Sequence, residues 1–368
     1  MLKYQPTFEA FTSFCDLPFT RLIVDAVGDV SMCCHQYEKI GNVFDGRDIF
    51  KIWRDSYEIR QVTQTGNLHP VCKSWNTCPF LTAERSPKTF KVHEGFKAPT
   101  HLKVCLPNTH CNIGGEHPND DNPACIMCGR NWNVERQVDR MDEICIKVKP
   151  LMQFIRGFSI LGLAEPFWKD AIFRIFDLVD FPRYKDRIKF TTSTNVTCFS
   201  EQNIHKFFGS VYNSELTFSI DAASSSVYEK IRRLPGGYDL VMTRIADYLR
   251  IRDQYDGKHK TNIFNNINLL NVHEMTKMVE DAHRLGVERI TMVPTTDMRG
   301  KVDQSFMMLC LNKQNVGVFK HNADLARVRA TELGVNLQYN QPFDVVPPSF
   351  EELGLPEPSG LDLVQIQL

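Results

Sequence analysis

Apolar and polar positions change their pattern near residue 100. Downstream, short apolar runs at 102–106, 158–161, 188–192, 216–220, 263–269 and 290–293 alternate with stretches whose apolar residues recur at helical spacing. The clearest of these stretches is Met275, Met278, Val279, Ala282 and Leu285, which Gly286 closes as a C′ residue. Six strands alternating with helices predict βα units on a parallel sheet, an α/β fold that is open or partly closed into a barrel. A helix over 323–333 and a strand over 335–339 extend it. In such sheets chemistry collects at the carboxyl ends of the strands. Upstream, residues 1–84 are irregular, with one β-like run at 20–24 and an amphipathic turn around Ile49, Ile52 and Trp53. That stretch predicts a small domain stapled by metal, followed by a polar linker over 85–100, a large domain over 101–345 and an extended tail over 346–368.

Composition narrows the function classes. In 368 residues, 43 basic and 44 acidic side chains nearly cancel, so no polybasic nucleic-acid surface is expected. No run of apolar residues is long enough to cross a membrane. The 12 cysteines are too sparse for a disulfide scaffold, and the first residues, MLKYQPTFEAFTSF, lack an apolar signal core. These features predict a cytoplasmic, reducing setting, where clustered cysteines are metal ligands or catalysts.

One such cluster is CNIGGEHPNDDNPACIMC, with Cys111, Cys125 and Cys128. The CxxC turn can aim two sulfurs at one metal, and Cys111 returns through a thirteen-residue loop rich in Gly, Pro, Asn and Asp. By spacing, the triad suits an iron–sulfur cluster with one open iron, or a zinc site completed by His117 or Cys105.

The stretch resembles the radical S-adenosylmethionine (SAM) superfamily, in which three cysteines after the first strand hold a 4Fe-4S cluster and SAM chelates the fourth iron. The usual spacing is CxxxCxxC, so the long first gap is a departure. Three further segments carry the resemblance. LGLAEP is similar to the family's GGEP motif, which implies that Gly162, Ala164 and Glu165, next to Pro166, receive the methionine ammonium. TSTNVT resembles the TNG turn, with Val196 where glycine is usual. FSIDAASSSVYEKIRR resembles the SxDxxxxxxYxxIR pattern of the peptide-modifying subgroup, which implies cofactor contacts from Ser219 and Asp221 and a carboxylate contact from Arg232. Asn271 is expected near the cofactor through the next strand.

The N-terminal cysteines, in CDLPFTRLIVDAVGDVSMCC and GNLHPVCKSWNTC, resemble the SPASM or twitch domain that carries auxiliary 4Fe-4S clusters. Gly28, the Gly41-Asn42-Val43 turn, Trp53 and Arg60 match that pattern as well. The resemblance implies one auxiliary cluster on Cys15, Cys33, Cys72 and Cys78, with Cys34 as alternate ligand or bystander; four thiolates could equally hold a structural zinc. The family usually places this domain after the barrel, whereas here it comes first. Cys145, Cys198 and Cys310 have no ligand spacing and are expected to be buried small hydrophobes.

Taken together, the resemblance implies a partial (β/α)6 TIM-like barrel with an N-terminal SPASM/twitch-like domain. It implies an enzyme that cleaves SAM reductively to a 5′-deoxyadenosyl radical, using an electron donor such as flavodoxin or ferredoxin. Its substrate would be a peptide or protein side chain, or alternatively a small carbohydrate, nucleoside or amine. A zinc-stabilised binding protein on a degenerate barrel is the reading from another class.

Overall fold

The structure, a computed structural model, describes residues 7–8, 15–33, 39–64, 69, 90–91, 98–107, 125–126, 138–162, 164–295, 309–312 and 315–339. Contacts divide the chain into two units that are each discontinuous in sequence. One comprises 1–110, 137–192 and 209–214; the other comprises 111–136, 193–208 and 215–368.

In the first unit, strand β1 (Arg21–Val24) is followed by the short strands β2 (Asp29–Ser31) and β3 (Gly41–Asn42). These two fold back as an antiparallel meander, β1 with β2 and β2 with β3. On its other side β1 pairs in parallel with β4 (His101–Leu106), Arg21 opposite His101 and Val24 opposite Val104. β4 pairs in parallel with β5 (Gly157–Gly162), which pairs in parallel with β6 (Lys189–Thr194). The alternation that marked these strands in the sequence becomes one buried face. Leu102, Phe158 and Phe190 lie in register across it, as do Val104, Ile160 and Thr192. Thr192 is tolerated there because its hydroxyl donates to the Ile160 carbonyl at 2.5 Å.

Helices accompany these strands, and the one that carries Phe176 covers that face. α1 (Leu17–Thr20), α2 (Ile49–Asp55) and α3 (Tyr57–Gln64) belong to the N-terminal segment, and α2 is capped by the Asp48 carboxylate, which accepts from Lys51 N–H. α4 (Met141–Val148) and α5 (Ala171–Leu178) follow β4 and β5. Phe176 of α5 stacks on Phe181 with ring centroids 4.5 Å apart and meets Phe190 edge-on at 5.0 Å, which fills the layer behind β5 and β6.

In the second unit the helix α6 (Glu201–Ser210) precedes a sheet in the order β7 (Asn213–Ser219), β8 (Lys258–Ile267), β9 (Arg289–Pro294) and β10 (Asn336–Tyr339). β8, β9 and β10 are parallel, Ile263 opposite Ile290 and Ile290 opposite Leu337. Between strands run α7 (Ser225–Arg232), α8 (Gly237–Arg252), α9 (Met275–Leu285) and α10 (Val316–Leu333). Met275, Met278, Val279 and Ala282 are the buried face of α9, and α10 packs against it through Phe319, Ala323, Ala326 and Ala330. Gly286 ends α9 at φ 72°, the left-handed conformation expected of it.

The strands named in each unit are mostly parallel and do not close on themselves, so the α/β class and the six alternating strands stand. The differences lie in extent. β7 starts ahead of the apolar run at 216–220, and β8 starts at Lys258, ahead of the run at 263–269. Backbone pairing continues through polar residues at the open ends of these strands. No helix among the described residues is long and apolar enough to cross a membrane.

Candidate functional site

β7 delivers Leu216 and Phe218 to the buried side and leaves Ser219 half-buried on the other. Two residues later Asp221 takes a left-handed φ of 62°, which turns the chain off the strand. α7 then begins at its N-cap Ser224, whose hydroxyl accepts from Val227 N–H at 3.4 Å, and ends at Arg232. The eleven-residue separation of Asp221 and Arg232 is thus one loop plus one helix, and it returns the guanidinium to the carboxylate.

Arg232 is the centre of the site. Its Nη2 donates to Asp221 Oδ2 at 2.5 Å, to Ser219 Oγ at 2.7 Å and to the Ser219 carbonyl at 2.9 Å. Its Nη1 donates toward Cys125 Sγ at 3.8 Å, and the Cys125 thiol in turn reaches the Arg232 carbonyl at 3.8 Å. The neighbouring Ile126 N–H donates to the Ile231 carbonyl at 3.0 Å, so the last turn of α7 anchors the cysteine loop. The other oxygen of Asp221 accepts from Asn266 N–H at 2.6 Å. Asn271 donates to the carbonyls of Asp221 and Asn266 at 2.9 and 2.8 Å and accepts from Asn268 N–H at 2.8 Å.

These groups are out of water. Asp221 and Asn271 are fully buried, Cys125 is 8% exposed and Arg232 9%. Burial pushes the Asp221 carboxyl up, against the pull of the guanidinium. Burial also works against the Arg232 charge, but Asp221 and Cys125 outweigh it and hold the guanidinium above its ordinary value. The guanidinium and the carboxylate face each other at 2.5 Å, so each offsets part of the other's desolvation. Arg232 Nε remains buried with no acceptor among the described residues.

Sequence reasoning missed Glu274. Its Oε2 accepts from Ala223 N–H at 2.7 Å and its Oε1 from the Ser224 hydroxyl, fastening the loop between β7 and α7. The partners stand 51 positions apart, and an acid just ahead of α9 reads in sequence only as a helix-start residue. Asn266 acts through its backbone, which no side-chain motif reveals.

In the other unit, Gly162 ends β5 at φ 134°, and a Cβ there would meet the Leu106 carbonyl oxygen at 2.7 Å. Only glycine fits that approach of β5 to β4. Ala164 follows, half-buried, and then Glu165 at 0% exposure, its Oε1 accepting from Phe167 N–H at 3.2 Å. Val196, where glycine is usual, keeps the backbone of glycine at φ 69° and is fully buried. Its N–H donates to Thr194 Oγ1 at 2.9 Å, while Thr197 N–H donates to Asn195 Oδ1 at 2.9 Å, so side chains hold the turn that the missing glycine would otherwise permit.

The structure thus brings together Ser219, Asp221, Arg232, Asn271 and Cys125, and it carries Gly162, Ala164 and Glu165 on one strand end. Cys15 is buried ahead of α1 and Cys33 is half-buried after β2. Cys111, Cys128, Cys34, Cys72, Cys78 and His117 lie outside the described residues. Among the described residues no three His, Cys, Asp or Glu side chains group as a metal site. Cys105 is half-buried within β4. Cys145 and Cys310 are buried, and burial pushes the Cys145 thiol up to about 12; Cys198, expected buried, is only half-buried.

Residues 15–79 match the SPASM family, an iron-sulfur cluster-binding domain. The expectation of a SPASM-type segment ahead of the larger α/β part therefore holds. No curated protein matches the chain. Among solved structures, the chain is similar to SuiB of Streptococcus suis at 14% identity, covering 66% of this chain and 49% of that one, with a TM-score of 0.47. It is similar to anSMEcpe with bound AdoMet at 15% identity, covering 66% and 61%, with a TM-score of 0.48. It is also similar to a radical SAM methyltransferase from Sphaerobacter thermophilus at 15% identity, covering 67% of each chain, with a TM-score of 0.41. The chain spans about half the length of SuiB, which is also solved with S-adenosylmethionine and with the precursor peptide SuiA.

Proposed function

We propose that this chain is a radical SAM enzyme that acts on a peptide or protein side chain and carries an auxiliary 4Fe-4S cluster in its SPASM-type segment. The observation that carries the reading is Arg232, which joins Cys125 of the cysteine loop, 107 positions away, to Ser219 and Asp221 of the SxD motif. The two most specific segments of the radical SAM resemblance therefore meet at one side chain.

Cys111, Cys125 and Cys128 would hold the open cluster. As the resemblance implies, Gly162, Ala164 and Glu165 at the end of β5 would receive the methionine ammonium, and Ser219 and Asp221 at and after the end of β7, Arg232 at the end of α7 and Asn271 after β8 would contact the cofactor. Each residue suits its own part of an amino-acid group: Glu165 is a carboxylate kept from water, which suits an ammonium, and Arg232 has a buried Nε to spare, which suits a carboxylate. When bound, cluster and SAM together supply hydrogen abstraction from an unactivated C–H bond.

The chain's own residues orient and shield. Asp221 balances the Arg232 guanidinium beside Cys125, so the cysteine loop is held without an unpaired charge. Asn271 fixes the backbone at Asp221 and Asn266, and Glu274 fixes it at Ala223, which sets the carboxyl ends of β7 and β8. Burial of Asp221, Ala222, Ala223 and Asn271 keeps water from that corner. The peptide class of substrate rests on the resemblance of 219–232 to the peptide-modifying subgroup.

Anaerobic reconstitution tests the reading. The protein should hold about eight iron atoms per chain, as two 4Fe-4S clusters, and absorb near 400 nm. With dithionite and SAM it should release 5′-deoxyadenosine, and Cys125→Ala should abolish that product. Colourless protein with stoichiometric zinc would overturn the proposal.

A further inference from the structure

Among the described residues Arg60 is a buried cation without an anion. On α3 it is 1% exposed, its Nη1 donating to Ser56 Oγ at 3.0 Å and its Nη2 to the Trp53 carbonyl at 2.7 Å. The guanidinium lies 4.5 Å from the centroid of the Trp53 ring, itself fully buried. No carboxylate among the described residues pairs with it, and burial lowers it to about 10. Among the described residues two donors stay unused: Arg60 Nε and the Trp53 indole N–H are both buried without an acceptor. The other buried guanidinium among the described residues, Arg232, has Asp221.

An unpaired buried charge costs several kcal/mol, so a fold that keeps one holds a counter-ion for it. Arg60 and Trp53 both lie within residues 15–79, the segment matching an iron-sulfur cluster-binding domain. α3 packs against α1, which begins two residues after Cys15. A 4Fe-4S cluster on four thiolates is an anion whose sulfurs accept hydrogen bonds. Such a cluster would supply the acceptors that both donors lack.

We propose that Arg60, with Trp53, is the counter-charge and hydrogen-bond donor set of the cluster held by the N-terminal cysteines, and that it raises the reduction potential of that cluster. This rests on the auxiliary cluster proposed above and gives its surroundings an electrochemical role. Arg60 acts on the cluster electrostatically, as a positioning and tuning residue and not as a ligand.

The test uses the full chain carrying Cys125→Ala and Cys128→Ala, which leaves the N-terminal cluster alone, and reads its midpoint by anaerobic spectroelectrochemistry. Arg60→Gln should leave about tenfold less reduced cluster at the parent's midpoint, a shift of 59 mV for a one-electron couple, to the negative side. Arg60→Lys should stay closer to the parent. An Arg60→Gln cluster at the parent's potential would overturn the proposal, as would a Lys variant shifted as far as the Gln variant. If Arg60→Gln does not fold, Trp53→Phe decides: it keeps an aromatic face and removes the N–H, and an unmoved potential rules the donor set out. A parent that binds no iron would instead sink the auxiliary cluster itself.

Discussion

Three residues at strand ends hold backbone conformations that most side chains avoid: Gly162 after Leu161, Val196 two residues past β6, and Asp221 two residues past β7. Strain of this kind persists where surrounding bonds over-determine it, and it concentrates at working sites. At Gly162 the constraint is doubled, because the Leu106 carbonyl leaves no room for a Cβ. Gly162→Ala should therefore cost about 1–3 kcal/mol, read as a lower urea midpoint with an unchanged slope. An alanine variant as stable as its parent would mean that β4 and β5 separate there freely. At this scale the sequence was informative about identity and silent about partners. Ser219, Asp221 and Arg232 stand out by motif and Asn271 by its place after the next strand, and that reading assigns them to a cofactor, whereas Arg232 also bonds to the Ser219 and Asp221 side chains and Asn271 to the Asp221 carbonyl. Glu274 carries no motif and became visible only when folding brought it to Ala223.

At the scale of elements, the apolar alternation located β4, β5 and β6 because each has one face in the core and one that is not. It understated β8, whose first residues, Lys258 to Lys260, are held by backbone pairing, and α10, where Gly317, His321 and Asn322 interrupt the apolar period ahead of Ala323. It gave no sign that β1 pairs with β4, since their hydrogen bonds join residues some 80 positions apart. α7 shows how much of an element's stability comes from one cap. Ser224→Ala should cost about 1 kcal/mol. Glu274→Ala should cost about 1.5–3 kcal/mol, because it removes a charged acceptor from a backbone N–H. The two losses should fall short of additive in the double variant, since Ser224 and Glu274 share a bond. Strict additivity in a denaturation cycle would show that the cap and the latch work independently.

At the scale of the molecule, sheet packing and cysteine chemistry occupy different residues. The buried layers of Phe158, Phe176, Phe181 and Phe190 and of Met275, Met278 and Phe319 need no metal, whereas residues 15–79 match a cluster-binding domain. Removing iron with a chelator should therefore raise amide exchange over 15–64 and at 125–126 while leaving β5, β6 and α9 protected. Uniform loss of protection would mean that the sheets depend on the clusters. Both contact units are assembled from separated stretches of chain, an organisation that no reading in linear segments expresses. α7 is tied at its start to Glu274 and at its end to the cysteine loop. Eight residues make a strut about 12 Å long, held along one face by Val227, Tyr228, Ile231 and Arg232. A push on the Glu274 end arrives at Cys125 as a tilt, so the two ends answer any disturbance as a single lever.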